Sequence, residues 1–373
     1  MDYEIEFHPV GDGTKAGDAI LIRYVENGAF RVMVIDGGTT ACGKALVEHI
    51  TNVYGPATVI AHAVSTHPDS DHASGLREVL KAFPVETLWI HGIWHHAAEM
   101  QPYFEQGQTQ ADIQNSIEAA YPIVSELIAI ASEKGADIFE PFAGAQIGPF
   151  TVLSPSRYAY IRLVPQFRRT PDANREALEA ENFWLGTPKD HGLLARIFEK
   201  AASAVSRWIN ERWDVELLRE NPCTAAENES STVLFANFGV GRKTMLTSDA
   251  GVNALNWACN YADAQGIDRM PLDVVQVPHH GSRSNVAPSI LNRLLGNPVQ
   301  FGTMSATRAI VSCPKDDEKH PRKMVVNAFT RRGCNVYKTQ GSYVRIHYGA
   351  MPPRGNEGAA APFAWFDAVE DYD

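Results

Sequence analysis

Thr58-Val-Ile-Ala-His-Ala-Val-Ser-Thr66 runs directly into His67-Pro-Asp-Ser-Asp-His72-Ala-Ser-Gly75. The first run is mostly apolar and rich in β-branched residues, the composition of a strand buried in a sheet. The second holds four potential metal ligands, His67, Asp69, Asp71 and His72, within six residues. Left unpaired, such groups would strain any core, and a cation resolves the conflict. A polar turn capping the next helix would account for Ser70 or Asp71, but not for two histidines. A polar cluster that follows an apolar strand sits at the carboxyl end of the sheet, where α/β folds carry their ligand sites.

Outward from this junction the pattern is that of a sheet protein interrupted by helices. Upstream, Ile5 and Phe7, Ala19–Tyr24 and Arg31–Ile35 read as short strands, the last closing on Asp36-Gly37-Gly38, with a helix around Lys44–Val53. Downstream, Glu86–His91 reads as a strand. A helical stretch then carries Ile113, Ile117, Val124, Leu127, Ile128 and Ala131 near helical spacing, divided by Pro122. After a strand at Gly148–Leu153 comes a polar, helical section whose best helix starts at Thr187-Pro188 and places Leu194, Ile197, Ala201, Val205 and Trp208 on one face. Strands resume at Ser231–Ala236, Lys243–Asp249, Leu272–Val277, Ala309–Ser312 and Tyr343–Tyr348. Two strand-rich halves separated by helices predict two packed sheets. The expected organisation is one domain over 1–348, with helical insertions at about 95–135 and 156–225, and a mobile Gly/Pro/Ala-rich tail over 349–373 whose Phe363-Ala-Trp-Phe-Asp segment has two readings, docking on a partner or on the domain itself.

The chain of 373 residues is 45% hydrophobic and 21% charged, ordinary values for a globular protein that can bury a large core. No segment approaches the roughly 18 apolar residues of a membrane span, and the acidic start lacks a signal peptide's basic opening, so a cytoplasmic location without membrane association is expected. Cys42, Cys223, Cys259, Cys313 and Cys334 are widely spaced and form no C-x-x-C pair, which predicts isolated reduced thiols. A net charge of −11 argues against broad coating of nucleic acid. The one stretch suited to local contact with phosphates and bases interleaves Arg157, Arg162, Arg168 and Arg169 with Tyr158, Tyr160 and Phe167. A solvated loop with core-packing aromatics is the alternative.

Two further polar clusters follow apolar strands. Asp249 could bridge two cations or cap a helix at Ala250. His279-His280-Gly281-Ser282 has a glycine that permits close backbone approach. The order Gly17-Asp18-Ala19, Ile35-Asp36-Gly37-Gly38, His67-Pro-Asp-Ser-Asp-His72-x-x-Gly75, Ser248-Asp249, Val277-Pro-His-His-Gly-Ser282 and His320-Pro321 resembles metallo-β-lactamase-fold proteins, most of all the hydrolase domain of the DNA-uptake protein ComEC.

That resemblance implies an α/β fold, the metallo-β-lactamase αββα sandwich of two packed mixed sheets flanked by helices. It also implies a metal-dependent hydrolase, a phosphodiesterase or nuclease, that uses a metal-bound hydroxide at a two-metal site with Zn2+ or Mn2+. Carried over, it assigns His67 and Asp69 to one metal, Asp71, His72 and His280 to the other, and Asp249 as the bridge. His280 is preferred over His279 because the usual ligand directly precedes glycine. His279 would then face the substrate phosphate, Asp71 would orient the nucleophile, and His320 would contact phosphate or protonate the leaving oxygen. Asp69 stands where the wider superfamily has histidine. The donor completing the first site is left among His91, His95, His96, His191, Asn228 and water. The implied substrate contains phosphate, and the acidic net charge favours a nucleotide or single-stranded nucleic acid. Hydrolysis of a carboxylic ester, amide or lactone, or a non-catalytic metal-binding sensor or interaction module, are the alternatives, since fold does not fix chemistry.

Overall fold

Alternation along the first strand sets the layering. In β1 (Tyr3–Phe7), Tyr3, Ile5 and Phe7 enter one core while Glu4 and Glu6 point to the opposite face. The computed structural model describes residues 1–11, 17–186, 207–354 and 361–372. Within them β1 joins β2 (Ile20–Glu26), β3 (Ala29–Ile35), β4 (Ile60–Val64), β5 (Val85–Trp89), β6 (Asp137–Phe139) and the late β15 (Val344–Tyr348) in a seven-stranded sheet, ordered β15-β1-β2-β3-β4-β5-β6. The second sheet takes β7 (Gln146–Ile147), β8 (Phe150–Ser154), β10 (Val233–Asn237), β11 (Lys243–Leu246), β12 (Val274–Gln276), β13 (Arg308–Val311) and β14 (Asn335–Lys338). It also has seven strands, ordered β14-β13-β12-β11-β10-β8-β7. Each sheet is mixed: β15 to β3 run antiparallel and β3 to β6 parallel, while β7 to β11 run antiparallel and β11 to β14 parallel.

Three apolar layers follow from the period-two pattern. Met33 and Ile35 of β3 meet Val152, Leu234 and Ile310 between the sheets. Val32 and Val34, on the other face of β3, pack against Leu46 and Ile50 of helix Thr40–Val53 and Leu76 and Leu80 of helix Ser70–Ala82. Beyond the second sheet, Val275 and Ala309 pack against Leu255, Ile290 and Phe329 from helices Val252–Ala264, Pro288–Leu295 and Lys323–Arg331. The result is the helix–sheet–sheet–helix sandwich of the metallo-β-lactamase fold.

Pro122 does divide the expected helical stretch: Gln110–Ala120 ends at Tyr121, and Pro122–Glu133 begins with the proline in its first turn, where the missing N–H costs nothing. These helices form part of the connection between the parallel strands β5 and β6. Two expectations need correction. The helix expected from Thr187 falls on residues 187–206, outside the described residues, and Trp208, placed on its face, instead begins the strand β9 (Trp208–Asn210). The tail, expected to be mobile unless its Phe363–Asp367 segment docks, is anchored on the domain near its end: β16 (Ala368–Glu370) pairs antiparallel with β9, and Val369 is fully buried. Among the described residues no helix is long and apolar enough to cross a membrane, and all five cysteines are free thiols.

Candidate metal centre

The carboxyl ends of parallel strands from both sheets converge. His67 follows β4, Asp249 follows β11, and the His279–His280 turn follows β12. Asp69 stands at the N-cap of helix Ser70–Ala82 without capping it, and Asp71 and His72 fall in the first turn. Gly75 is required one turn on, because a Cβ there would lie 1.8 Å from Gly37 O, where the loop after β3 crosses the helix. Asp249 does not cap the next helix, whose N-cap is Gly251. Its loop is fixed by Gln276, whose Oε1 accepts from Thr247 N and Ser248 N, both at 2.9 Å. His279 and His280 both adopt left-handed backbone conformations, φ 45° and 56°, which non-glycine residues hold only where their surroundings compel it.

The imidazoles of His67, His72 and His280 are anchored through Nδ1. His72 Nδ1 donates to Asp36 Oδ2 at 2.9 Å, and His280 Nδ1 donates to Ser312 O at 2.9 Å. His67 Nδ1 lies 3.1 Å from Thr66 Oγ1, which itself donates to Asp36 Oδ2 at 2.6 Å. These anchors turn the three Nε2 atoms towards Asp249. His67 Nε2 lies 3.8 Å and His72 Nε2 3.5 Å from its Oδ2, and His280 Nε2 lies 3.7 Å from its Oδ1. His67 Nε2, His72 Nε2 and Asp249 Oδ1 are buried and have no hydrogen-bond partner. Anchored Nδ1 atoms with free, convergent Nε2 lone pairs are the outer arrangement of metal-binding histidines, and the unmet donor capacity fits a divalent cation. Donor atoms of His72, Asp249 and His280 lie within 4.8 Å of one another, as do those of Asp36, His67 and His72.

Electrostatics divide the imidazoles. Burial lowers the pKa of His67 and takes His280 down to about 3, leaving both neutral and able to ligate. Burial also works against charge on His72, yet Asp249 and Asp36 raise it well above the usual imidazole value. Burial raises Asp249, but His279, His72 and His280 outweigh it and hold the carboxyl well below its usual range. Asp18, whose two oxygens are buried without partners, is driven up to about 7 by burial, with His72 opposing and Asp249 and Asp36 adding to the rise.

His67, His72, Asp249 and His280 therefore come together, as the motif order implied. His279 joins them from the rim, a third exposed, with Nε2 3.6 Å from Asp249 Oδ2 and Nδ1 donating to Asn285 Oδ1 at 2.8 Å. Asp69 and Asp71 fall in neither of the convergent groups at this centre. Asp69 instead accepts from Arg168 Nη2 at 2.7 Å. His320 Nδ1 donates to Asp317 Oδ2 at 3.0 Å. Among the candidates for the first site's last donor, His91 is buried beside His67 against Tyr160, with both ring nitrogens unpartnered. His96 is bound to Glu140, Asn228 Nδ2 donates to Thr224 Oγ1, and His191 lies outside the described residues.

The arginine-rich stretch is not the free loop considered above. Arg157–Leu163 is a helix, and Arg157 pairs with Glu99, Arg162 with Glu181, and Arg168 with Asp69 and Glu227. Sequence reading assigned no role to Asp36, Asp18 or Asp317. The first two lie in glycine-containing motifs at strand ends, which was the available signal.

The αββα fold thus gathers histidines and a carboxylate at its strand ends, a donor set suited to a divalent cation. A family model described as the metallo-beta-lactamase superfamily matches residues 12–155, which include His67–Gly75 and stop before Asp249. No curated protein matches. Similar solved structures include a Thermotoga maritima protein named provisionally as a metallo-beta-lactamase, with 10% identity and TM-score 0.32, covering 72% of this chain and 88% of that one. The metallo-beta-lactamase SMB-1 bound to 2-mercaptoethanesulfonate has 10% identity and TM-score 0.30, covering 78% and 88%. The Rm3 metallo-beta-lactamase has 13% identity and TM-score 0.29, covering 72% and 76%.

Proposed function

We propose that the chain is a metal-dependent phosphodiesterase acting on a small or single-stranded phosphate-containing substrate. The observation that carries the reading is the set of buried, unpartnered donor atoms on His67, His72 and Asp249, with His280 aimed at the same carboxylate. His67, His72, Asp249 and His280 would hold metal, and the ComEC-like motif would add Asp69 beside His67 on one ion and Asp71 beside His72 and His280 on the other, with Asp249 between them. A bound divalent cation supplies Lewis acidity and lowers the pKa of water towards about 7. Mixed imidazole and carboxylate donors suit both zinc and manganese.

The chain's own residues supply positioning and protons. His279 stands at the rim with Nε2 available to the phosphate and its ring fixed through Nδ1 by Asn285 Oδ1. His320, whose Nδ1–H is held by Asp317, would give a proton from Nε2 to the leaving oxygen when its ring is doubly protonated, and would be left as the neutral Nδ1–H imidazole. A cavity of about 190 Å³, lined by Arg168, Thr224 and Glu227 among others, adjoins Asn228 and offers room for the rest of the substrate. The preference for phosphorus over a carbonyl centre rests on the resemblance to ComEC and on these rim groups. The net charge of −11 supports a compact substrate over long duplex.

The test is turnover of bis(p-nitrophenyl) phosphate, single-stranded oligonucleotides, p-nitrophenyl acetate, a lactone and a β-lactam, before and after chelation. Phosphodiesters should be cleaved, activity should vanish with chelator, and manganese or zinc should restore it. Turnover confined to the acyl substrates would overturn the reading.

A further inference from the structure

The last described strand of the chain reaches the site from behind. Glu370 of β16 is buried, and its carboxylate accepts from Lys323 N at 3.0 and 3.2 Å. This is the free amino end of helix Lys323–Arg331, whose N-cap residue Arg322 gives it no side-chain cap. In the next two residues, Asp371 O and Tyr372 O accept from the Arg283 guanidinium, which also lies 4.3 Å over the Tyr372 ring. Arg283 belongs to the loop that leaves the His279–His280 turn, and Lys323 opens the helix that follows His320. Between the two anchors the loops touch directly: Arg322 N donates to Gly281 O at 3.1 Å, and a Cβ on Gly281 would lie 2.5 Å from Pro321 Cβ.

The turn needs such support. His279 and His280 are consecutive non-glycine residues at positive φ, a conformation that persists only where surrounding contacts fix it. Some of that fixing is local, through His279 N to Ser248 O at 3.1 Å and His280 Nδ1 to Ser312 O. Arg322 N to Gly281 O, and Arg283 with the carbonyls of Asp371 and Tyr372, add contacts just beyond the turn.

We propose that Arg283 and Glu370 are positioning residues, through which the C-terminal strand clamps the His279–His280 loop to the His320 loop and keeps His280 Nε2 aimed at Asp249. The inference rests on the metallohydrolase reading. It is tested on the full chain by titrating Mn2+ and Zn2+ into wild type, Arg283→Ala, Arg283→Lys and Glu370→Gln, alongside kcat, KM and melting temperature. Groups that hold a ligand from outside the coordination shell change metal affinity or activity about 10- to 100-fold. Arg283→Ala and Glu370→Gln should therefore weaken metal binding and lower kcat by at least about tenfold with little change in KM. Arg283→Lys, which can still donate to the carbonyls, should recover most of the affinity. Folded variants with a lower melting temperature but unchanged metal affinity and kcat would reduce the strand to a structural role and overturn the proposal. A wild-type chain that binds neither metal would instead overturn the hydrolase reading beneath it.

Discussion

Two clusters of histidine and carboxylate meet the same distance test, yet their chemistry differs. Around Asp249 and around Glu6, donor atoms of three residues lie within 4.8 Å of one another. On the outer face of β1, Glu6 Oε2 accepts from His8 Nε2 at 3.2 Å and His49 Nε2 at 2.7 Å, while Oε1 accepts from Tyr54 at 3.0 Å and Arg354 at 3.1 Å. None of the buried polar atoms of Glu6, His8 or His49 lacks a partner, whereas His67, His72 and Asp249 each present one that does. Arg23, Arg345 and Arg354 also crowd neighbouring Glu4, so a further cation would enter a positive surrounding. Proximity of donors thus does not make a metal cradle. Unmet hydrogen-bonding capacity distinguishes the cradle at Asp249 from the ionic network at Glu6.

The sharpest way to break this contrast is mutation on each side. Asp249→Ala and His72→Ala should each abolish turnover and lower metal content while leaving a folded chain, since no large apolar side chain is lost. Retained turnover with unchanged metal content would remove the basis of the contrast.

A smaller and different effect is expected at Glu6. Burial raises its pKa, but hydrogen bonds from His49 and His8 outweigh this and hold it well below the usual carboxylate value. The ionised carboxylate therefore stabilises the fold above the unfolded pKa of about 4.3. That contribution is lost as pH falls from there towards the depressed folded value. Glu6→Gln should cost about 3 kcal/mol at pH 7, the scale of breaking a buried pair, with kcat unchanged. Chemical denaturation at pH 7 and pH 3 should show the gap between wild type and variant narrowing in acid. A gap that widened in acid, or a collapse of metal binding in Glu6→Gln, would erase the distinction between the clusters.

The sheets and much of the cradle were legible because each depends on a local pattern. Period-two apolar runs marked the strands, and ligands placed just after them marked His67, His72, Asp249 and His280. What escaped depends on partners far along the chain. The sequence order marks Asp69 as a ligand but carries no sign of its ion pair with Arg168, 99 residues away. Asp36 reads as a turn residue until it is seen receiving both His72 and Thr66. The tail's composition suggested mobility, and its packing arises from pairing with β9 and from Asn327, which bonds the backbone of Phe366. The positive φ of His279 and His280 leaves no trace in residue type, since glycine would have been the ordinary choice.

Anomalous diffraction from crystals grown with Mn2+ or Zn2+ tests the central claim most directly, because both clusters are examined in one molecule. Anomalous density should appear among His67, His72, Asp249 and His280, and none should appear at Glu6, His8 and His49. Density at Glu6 with none at Asp249 would contradict the account.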